Sequence, residues 1–162
     1  MSLQDKDVRE YFHRSYTAVD GLWFVKVEEK YGFDKALDID KEVWMVMPKI
    51  QARFLKSKLN KEKGFLDLLD CFSVKLELDG FKFNVKKDKK SVKFIISNCP
   101  WYNIMAKSGR SHLSGNIGEV ICNTEYQVWA KEFGDNINFK LEGEICKGAK
   151  YCTIIFTKKK MR

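Results

Sequence analysis

FKFNVKKDKKSVKFIISNCP, residues 81–100, is where the hydrophobic period of the chain changes. Phe81, Phe83 and Val85 alternate with polar residues. Val92, Phe94 and Ile96 repeat the alternation after the charged run KKDKK. A period of two marks a half-buried strand, and a polar run between two such strands makes a hairpin. Cys99 and Pro100 end the second strand, since proline has no N–H to give a ladder.

Before this stretch the spacing is helical. Val8, Tyr11, Phe12, Tyr16, Val19, Trp23 and Val27 recur every three or four residues, the pattern of an amphipathic helix over Asp7–Tyr31. Gly21 is a candidate bend, Gly32 a C-terminal cap, and Asp34 an N-cap for a second helix. That helix carries Leu37, Val43, Trp44, Met47, Ile50, Phe54 and Leu55, and Pro48 kinks or divides it. A third helix around Phe65–Leu76 places Leu66, Leu69, Phe72 and Leu76 on one face.

After the hairpin a helix from about Gly115 to Phe133 buries Ile117, Ile121, Val128 and Trp129. Phe139, Leu141 and Gly143 form a third strand, KGAK turns, and Tyr151–Thr157 forms the fourth. Helices first and then β-β-α-β-β is an α+β fold with a mostly antiparallel four-stranded sheet. The whole, 1–162, reads as one domain, with a mainly helical part at 1–78 and a sheet-plus-helix part at 79–158.

Lys and Arg number 30 against 22 Asp and Glu, a formal net charge of +8. Nine of the lysines lie in FKFNVKKDKKSVKF and the tail KKKMR, which read as a solvated hairpin and a frayed end. Abundant Lys and Glu beside only three Gln point toward a thermophilic source. No apolar run approaches the ~20 residues of a membrane helix. The start MSLQDKDVREYF has no signal-peptide core, so a cytoplasmic, stand-alone protein is expected.

Five cysteines in a cytosolic chain are metal ligands, nucleophiles or core residues more often than disulfides. Four are spaced Cys99-x22-Cys122-x23-Cys146-x5-Cys152. Cys146 and Cys152 flank one hairpin turn, and Cys122 reaches them if its helix crosses that end of the sheet. Cys71 stands apart. Zinc takes four such ligands in a tetrahedron, but no Cys-x2-Cys knuckle is present. Zinc, a Cys146–Cys152 disulfide and plain burial all remain open on spacing alone.

CNTEYQVWAKEFGDNINFKLEGEICKGAKYCTIIF, residues 122–156, resembles the core of the 4-vinyl reductase-type small-molecule-binding domain. In that family a helix cysteine is followed by a hairpin with a cysteine on each side of a glycine turn, and then by an apolar strand. Cys122, Cys146, Gly148, Cys152 and Phe156 stand near those places. The segment SYTAVDGLWFVKVEEKYGFDKALDIDKEVW, residues 15–44, is similar to a related archaeal and bacterial group whose tail also carries four cysteines. That group in turn resembles aminothiazoline-carboxylate hydrolase-like proteins. The resemblance implies the fold shared with TRAPP subunits and haem nitric-oxide sensors. It also implies a structural zinc on Cys122, Cys146 and Cys152. Gly143 stands where those sensors carry a glutamate, so Cys99 is the expected fourth ligand, with Glu144 second.

Trp101, Tyr102, Tyr126 and Trp129 bracket the cysteines and are candidates to line a pocket for a flat apolar ligand, or else to pack core and interface. Asp20, in Asp-Gly-Leu-Trp, is a candidate pocket acid. His13 reads as surface. KSGRSHLSGN, residues 107–116, has neither the phosphate-loop order nor a Gly-x-Ser-x-Gly elbow. The expectation is a zinc-stabilised, homodimeric small-molecule-binding protein, a sensor, carrier or accessory subunit, with no membrane partner. Trp23, Phe24, Trp44, Met45 and Met47 supply the dimer surface. One alternative is a cysteine hydrolase acting through Cys99. Another is a nucleic-acid binder that stacks bases on Phe81 and Phe83.

Overall fold

The computed structural model describes residues 2–159. Lys160–Arg162, part of the expected frayed tail, lie outside them. The helices are α1 (Asp5–Tyr31), α2 (Phe33–Trp44), α3 (Met47–Leu59), α4 (Phe65–Leu78), α5 (Pro100–Lys107) and α6 (Ser114–Phe133). The strands are β1 (Lys82–Lys87), β2 (Ser91–Asn98), β3 (Ile137–Glu142) and β4 (Cys152–Lys158). The α+β reading is therefore observed. The chain forms two compact units, Met1–Glu42 and Val43–Arg162. The division falls well before residue 79, and α3 and α4 belong with the sheet.

In the first unit, the Gln4 N–H donates to the Asp7 carboxylate at 3.1 Å and closes the first turn of α1. Gly32 stops the helix at φ +86°, a conformation that costs a glycine little. Asp34 is not the cap expected of it. It is the second residue of α2, where its charge still meets the positive end of the helix. Phe24 meets Phe33 edge-on at 5.9 Å. The apolar positions of α1 do not share one environment. Val8, Tyr11, Phe12, Val19 and Trp23 are exposed, whereas Tyr16 and Val27 are half-buried.

The second unit begins at the break the proline imposes. α2 ends at Trp44, and Pro48 sits in the first turn of α3, where a missing N–H costs nothing. Ala52 and Leu55 face inward, while Ile50 and Phe54 are exposed. On α4 Phe72 and Leu76 of the expected face are buried and Leu69 is half-buried, but Leu66 is exposed. The buried face extends instead through Phe65, Leu68, Cys71 and Lys75, and a pattern that scores lysine as polar misses the last, which is 2% exposed.

The sheet is antiparallel in the order β1-β2-β4-β3. Val92 pairs with Phe156, Phe94 with Ile154, and Ile96 with Cys152. Phe139 and Leu141 continue the same face on β3. Phe72 of α4 joins this face to α6. It lies edge-on to Phe94 (5.0 Å), Phe156 (5.1 Å), Trp129 (5.4 Å) and Tyr126 (5.6 Å), a geometry the ring quadrupoles favour. On the other face Ile155 is 7% exposed although it lies between Lys93 and Lys140.

The KKDKK turn is exposed, as expected. Its Asp88 carboxylate accepts from the Ser91 hydroxyl (2.6 Å) and from the amides of Ser91 (2.7 Å) and Lys90 (2.8 Å). Phe81 is buried, so it offers no free face to a base. No helix among the described residues is long and apolar enough to cross a membrane.

Candidate functional site

Ser114, Gly118 and Cys122 lie one turn apart on α6 and so share a face. The 3-10 turn Ile145–Lys147, between β3 and β4, rests on that face. The Ser114 hydroxyl lies 2.6 Å from the Ser111 carbonyl and 3.1 Å from the Cys146 carbonyl, so it ties the turn to the helix start. A Cβ on Gly115 would stand 3.4 Å from Lys147 Cγ and 3.5 Å from the Cys146 oxygen. At Gly118 the approach is closer still. A Cβ there would fall 2.7 Å from Cys146 Sγ and 4.0 Å from Cys122 Sγ. Gly118 thus leaves the space in which these two sulfurs approach one another.

Cys152 opens β4 opposite Ile96, and Cys99 lies three residues further along that neighbouring strand's exit. The Ile145 N–H donates to Cys152 Sγ at 3.0 Å. The amides of Tyr102 and Trp101, at the start of α5, donate toward Cys99. Burial raises the Cys122 thiol well above its usual range, with Glu125, Cys99, Cys146 and Cys152 adding to the effect. All four cysteines are therefore within electrostatic reach of each other. Burial, then Glu144 and Cys152, pushes Cys146 up to about 11. Burial also pushes Cys152 up to about 11, against the Ile145 amide. Cys99 is raised by burial too. A nucleophilic cysteine requires a lowered pKa, so the hydrolase reading finds no support in Cys99.

Cys71 lies elsewhere. It is buried on α4, and its charged neighbours are Asp67, Lys61, Asp70 and Lys56. Glu144, the second choice for a fourth ligand, has one oxygen 2.9 Å from Lys147 Nζ and the other 3.9 Å from Cys146 Sγ. Lys147 also reaches Glu119 at 3.0 Å.

All five cysteines are free thiols. Among the described residues no three His, Cys, Asp or Glu side chains are arranged to hold a metal ion. The donor chemistry nevertheless suits a soft, thiolate-binding cation. Cys146 and Cys122 meet over Gly118, Cys99 and Cys152 lie within electrostatic reach, and the last two accept backbone N–H bonds that would stabilise sulfur charge. Closing a tetrahedron would need the thiols to turn toward a common centre.

The aromatic candidates separate. Tyr126 and Trp129 are buried in the core against Phe72. Trp101 and Tyr102 are half-buried on α5, and Trp101 lies edge-on to Trp44 at 5.7 Å. Asp20 is half-buried in α1, within the first compact unit.

A model of a family of unknown function, DUF6125, matches residues 4–157. The chain belongs to that family. No curated protein matches it. In this DUF6125 chain the residues that sequence reading missed are Ser114, Gly118 and Lys75. Two glycines three apart at the start of a helix were a signal for close approach, but nothing in the sequence named the segment that approaches. Lys75 Nζ lies 2.5 Å from Glu125 and 3.1 Å from Asp79, with the rings of Phe81, Phe72 and Tyr126 at 5.3, 5.7 and 5.7 Å. Burial would neutralise this ammonium, but the charges of Glu125 and Asp79 outweigh it and hold the group protonated.

Proposed function

We propose that this chain is a cytoplasmic small-molecule-binding domain of the 4-vinyl reductase type, a sensor, carrier or accessory protein that works as a homodimer. Its structural zinc is held by Cys122, Cys146 and Cys152 with Cys99. The observation that carries the reading is the approach of Cys146 and Cys122 over Gly118, with Cys152 and Cys99 in electrostatic reach. Bound zinc supplies four strong bonds that fasten α6 to the β3–β4 hairpin, and a four-thiolate shell leaves no open position for water. The ligand is apolar or aromatic, and Trp101 and Tyr102 border the cysteines on the side of α5. Tyr126 and Trp129 back that wall from the core.

Native mass spectrometry with elemental analysis tests all three parts on protein produced with zinc in the medium. The expected species is two chains with about one zinc each and a retained organic molecule. Four reactive thiols with no metal would sink the zinc reading, and a Cys146–Cys152 bond would replace it with a disulfide. A species free of organic molecule, with no gain in melting temperature from any apolar or aromatic compound in a ligand screen, would sink the binding reading.

A further inference from the structure

α1 carries an apolar stripe on its exposed side. Val8, Tyr11, Phe12, Val19, Leu22 and Trp23 are between 39 and 67% exposed. At 100° per residue these six project within an arc of about 120°. The half-buried Tyr16, Asp20, Phe24 and Val27 project from another side of the helix. Isolated exposed apolar residues are ordinary, but six in one stripe form a contiguous surface of the size that marks an interaction site.

The order of residues in the stripe says what fits it. About a point between Ser15 and Tyr16 the stripe is nearly palindromic. Val8 corresponds to Trp23 and Phe12 to Val19, so a β-branched residue always faces a large aromatic. Tyr11 falls near Leu22 on the same flank. The small Ser15 at the centre lets two backbones come close. The ends are complementary in charge: Asp5 precedes the stripe and corresponds to Lys26, which follows it. Parallel copies would set Asp5 against Asp5 and Lys26 against Lys26. Antiparallel copies set each against its opposite and also oppose the helix dipoles.

We infer that the stripe is the homodimer interface, and that α1 packs antiparallel on α1 of a second copy about a two-fold axis at Ser15. This rests on the homodimer part of the reading above and gives it a surface and a register. The six side chains offer roughly 800 Å² per chain, the size of a standard interface. A two-fold contact also closes on itself, so it covers the stripe without building fibres.

Light scattering and cross-linking on the full chain test the inference. Phe12→Glu should raise the dimer dissociation constant on the order of 100-fold, because the substitution buries two unpaired charges per dimer. Leu66→Glu, an equally exposed site on α4, should leave it unchanged. Both variants should keep the wild-type circular dichroism. In the double variant Phe12→Cys/Val19→Cys, mild oxidation should give a covalent dimer, and peptide mapping should find position 12 joined to position 19. Two positions two turns apart on one helix are too distant to bridge within a chain. A monomeric wild type at about 20 µM overturns both this inference and the homodimer reading, an affinity below that of ordinary specific complexes. A dimer indifferent to Phe12→Glu overturns only the assignment of the surface. Links of 12 to 12 and 19 to 19 overturn the antiparallel register. A link from 12 or 19 to a cysteine of the Val43–Arg162 unit in the same chain means that the chain covers its own stripe.

Discussion

Gly118 is a single hydrogen atom in the place of a side chain, and the approach of Cys146 to the Cys122 face of α6 depends on it. A methyl group there would stand 2.7 Å from Cys146 Sγ, inside any real contact distance. The sulfur is the free end of its side chain, so it moves away and the helix persists. Alanine is also the better helix former, by about 1 kcal/mol. Gly118→Ala should therefore melt no lower than wild type without metal, yet hold zinc much more weakly. Isothermal titration with zinc, beside apo-protein melting curves, separates the two effects. Equal zinc affinity in the variant would dissociate Gly118 from the site. Lys75 is the opposite case, a charge where apolar residues are the rule. Removing one partner of a buried ion pair leaves the other unpaired, at a cost of about 3–5 kcal/mol. Lys75→Met should destabilise by that amount in urea unfolding. Lys75→Met/Glu125→Leu should recover part of the loss, because one of the two carboxylates that face Lys75 is gone while Asp79 remains. A double variant no better than the single one would mean that the cost is lost packing against Phe72, Phe81 and Tyr126.

The elements are joined by a few polar contacts over the apolar core. Glu132 near the end of α6 receives Arg53 of α3 through two N–H bonds of 3.0 and 3.1 Å, and its carbonyl accepts from Lys56 at 3.0 Å. Burial alone would raise the Glu132 carboxyl, but Arg53 and then Lys56 hold it below the usual carboxylate range. A carboxyl lowered on folding stabilises the native state above its unfolded pKa of ~4.3. That contribution fades as the pH falls through the lower folded value. Arg53 is open to solvent, which screens the pair and keeps the contribution small. Glu132→Gln should thus melt below wild type at pH 7, and the gap should close on acidification below about pH 4. A gap that persists at pH 3 would assign the loss to packing instead of charge.

For the whole molecule the question is how much stability the cysteine site carries. The Val43–Arg162 unit has a continuous core from Leu55 through Phe72 to Phe156, so it does not depend on metal to fold. Structural zinc binding is nonetheless linked to folding free energy. Cys152→Ser should lower the melting temperature of zinc-loaded protein and leave a cooperative transition behind. Cys71→Ser sits in a fully packed part of the core and away from the cluster, so it should lose some stability without losing zinc. If Cys152→Ser keeps zinc and melting temperature but abolishes a measurable turnover, the cysteine is catalytic and the structural reading falls.

Sequence alone was sufficient for the order of the elements other than α5. The change from helical to alternating spacing at Phe81, the break at Pro48 and the turn at Asp88 are local signals, written in neighbouring residues and in backbone chemistry that needs no partner. The burial of Val92, Phe94 and Ile96 follows from the same alternation. Sequence did not show α5, because PWYNIMAK is short and follows a strand end that reads as a stop. It placed Phe72 and Leu76 of α4 correctly but missed that Lys75 is buried beside them, because its ammonium is paired with Glu125 and Asp79, and the periodicity of α4 does not reveal those partners. It listed four cysteines without saying what brings them together. The approach of Cys146 to Cys122 depends on the β3–β4 turn lying against Ser114, Gly115 and Gly118. That contact joins segments about thirty residues apart, and only the packed chain fixes which glycine faces which sulfur.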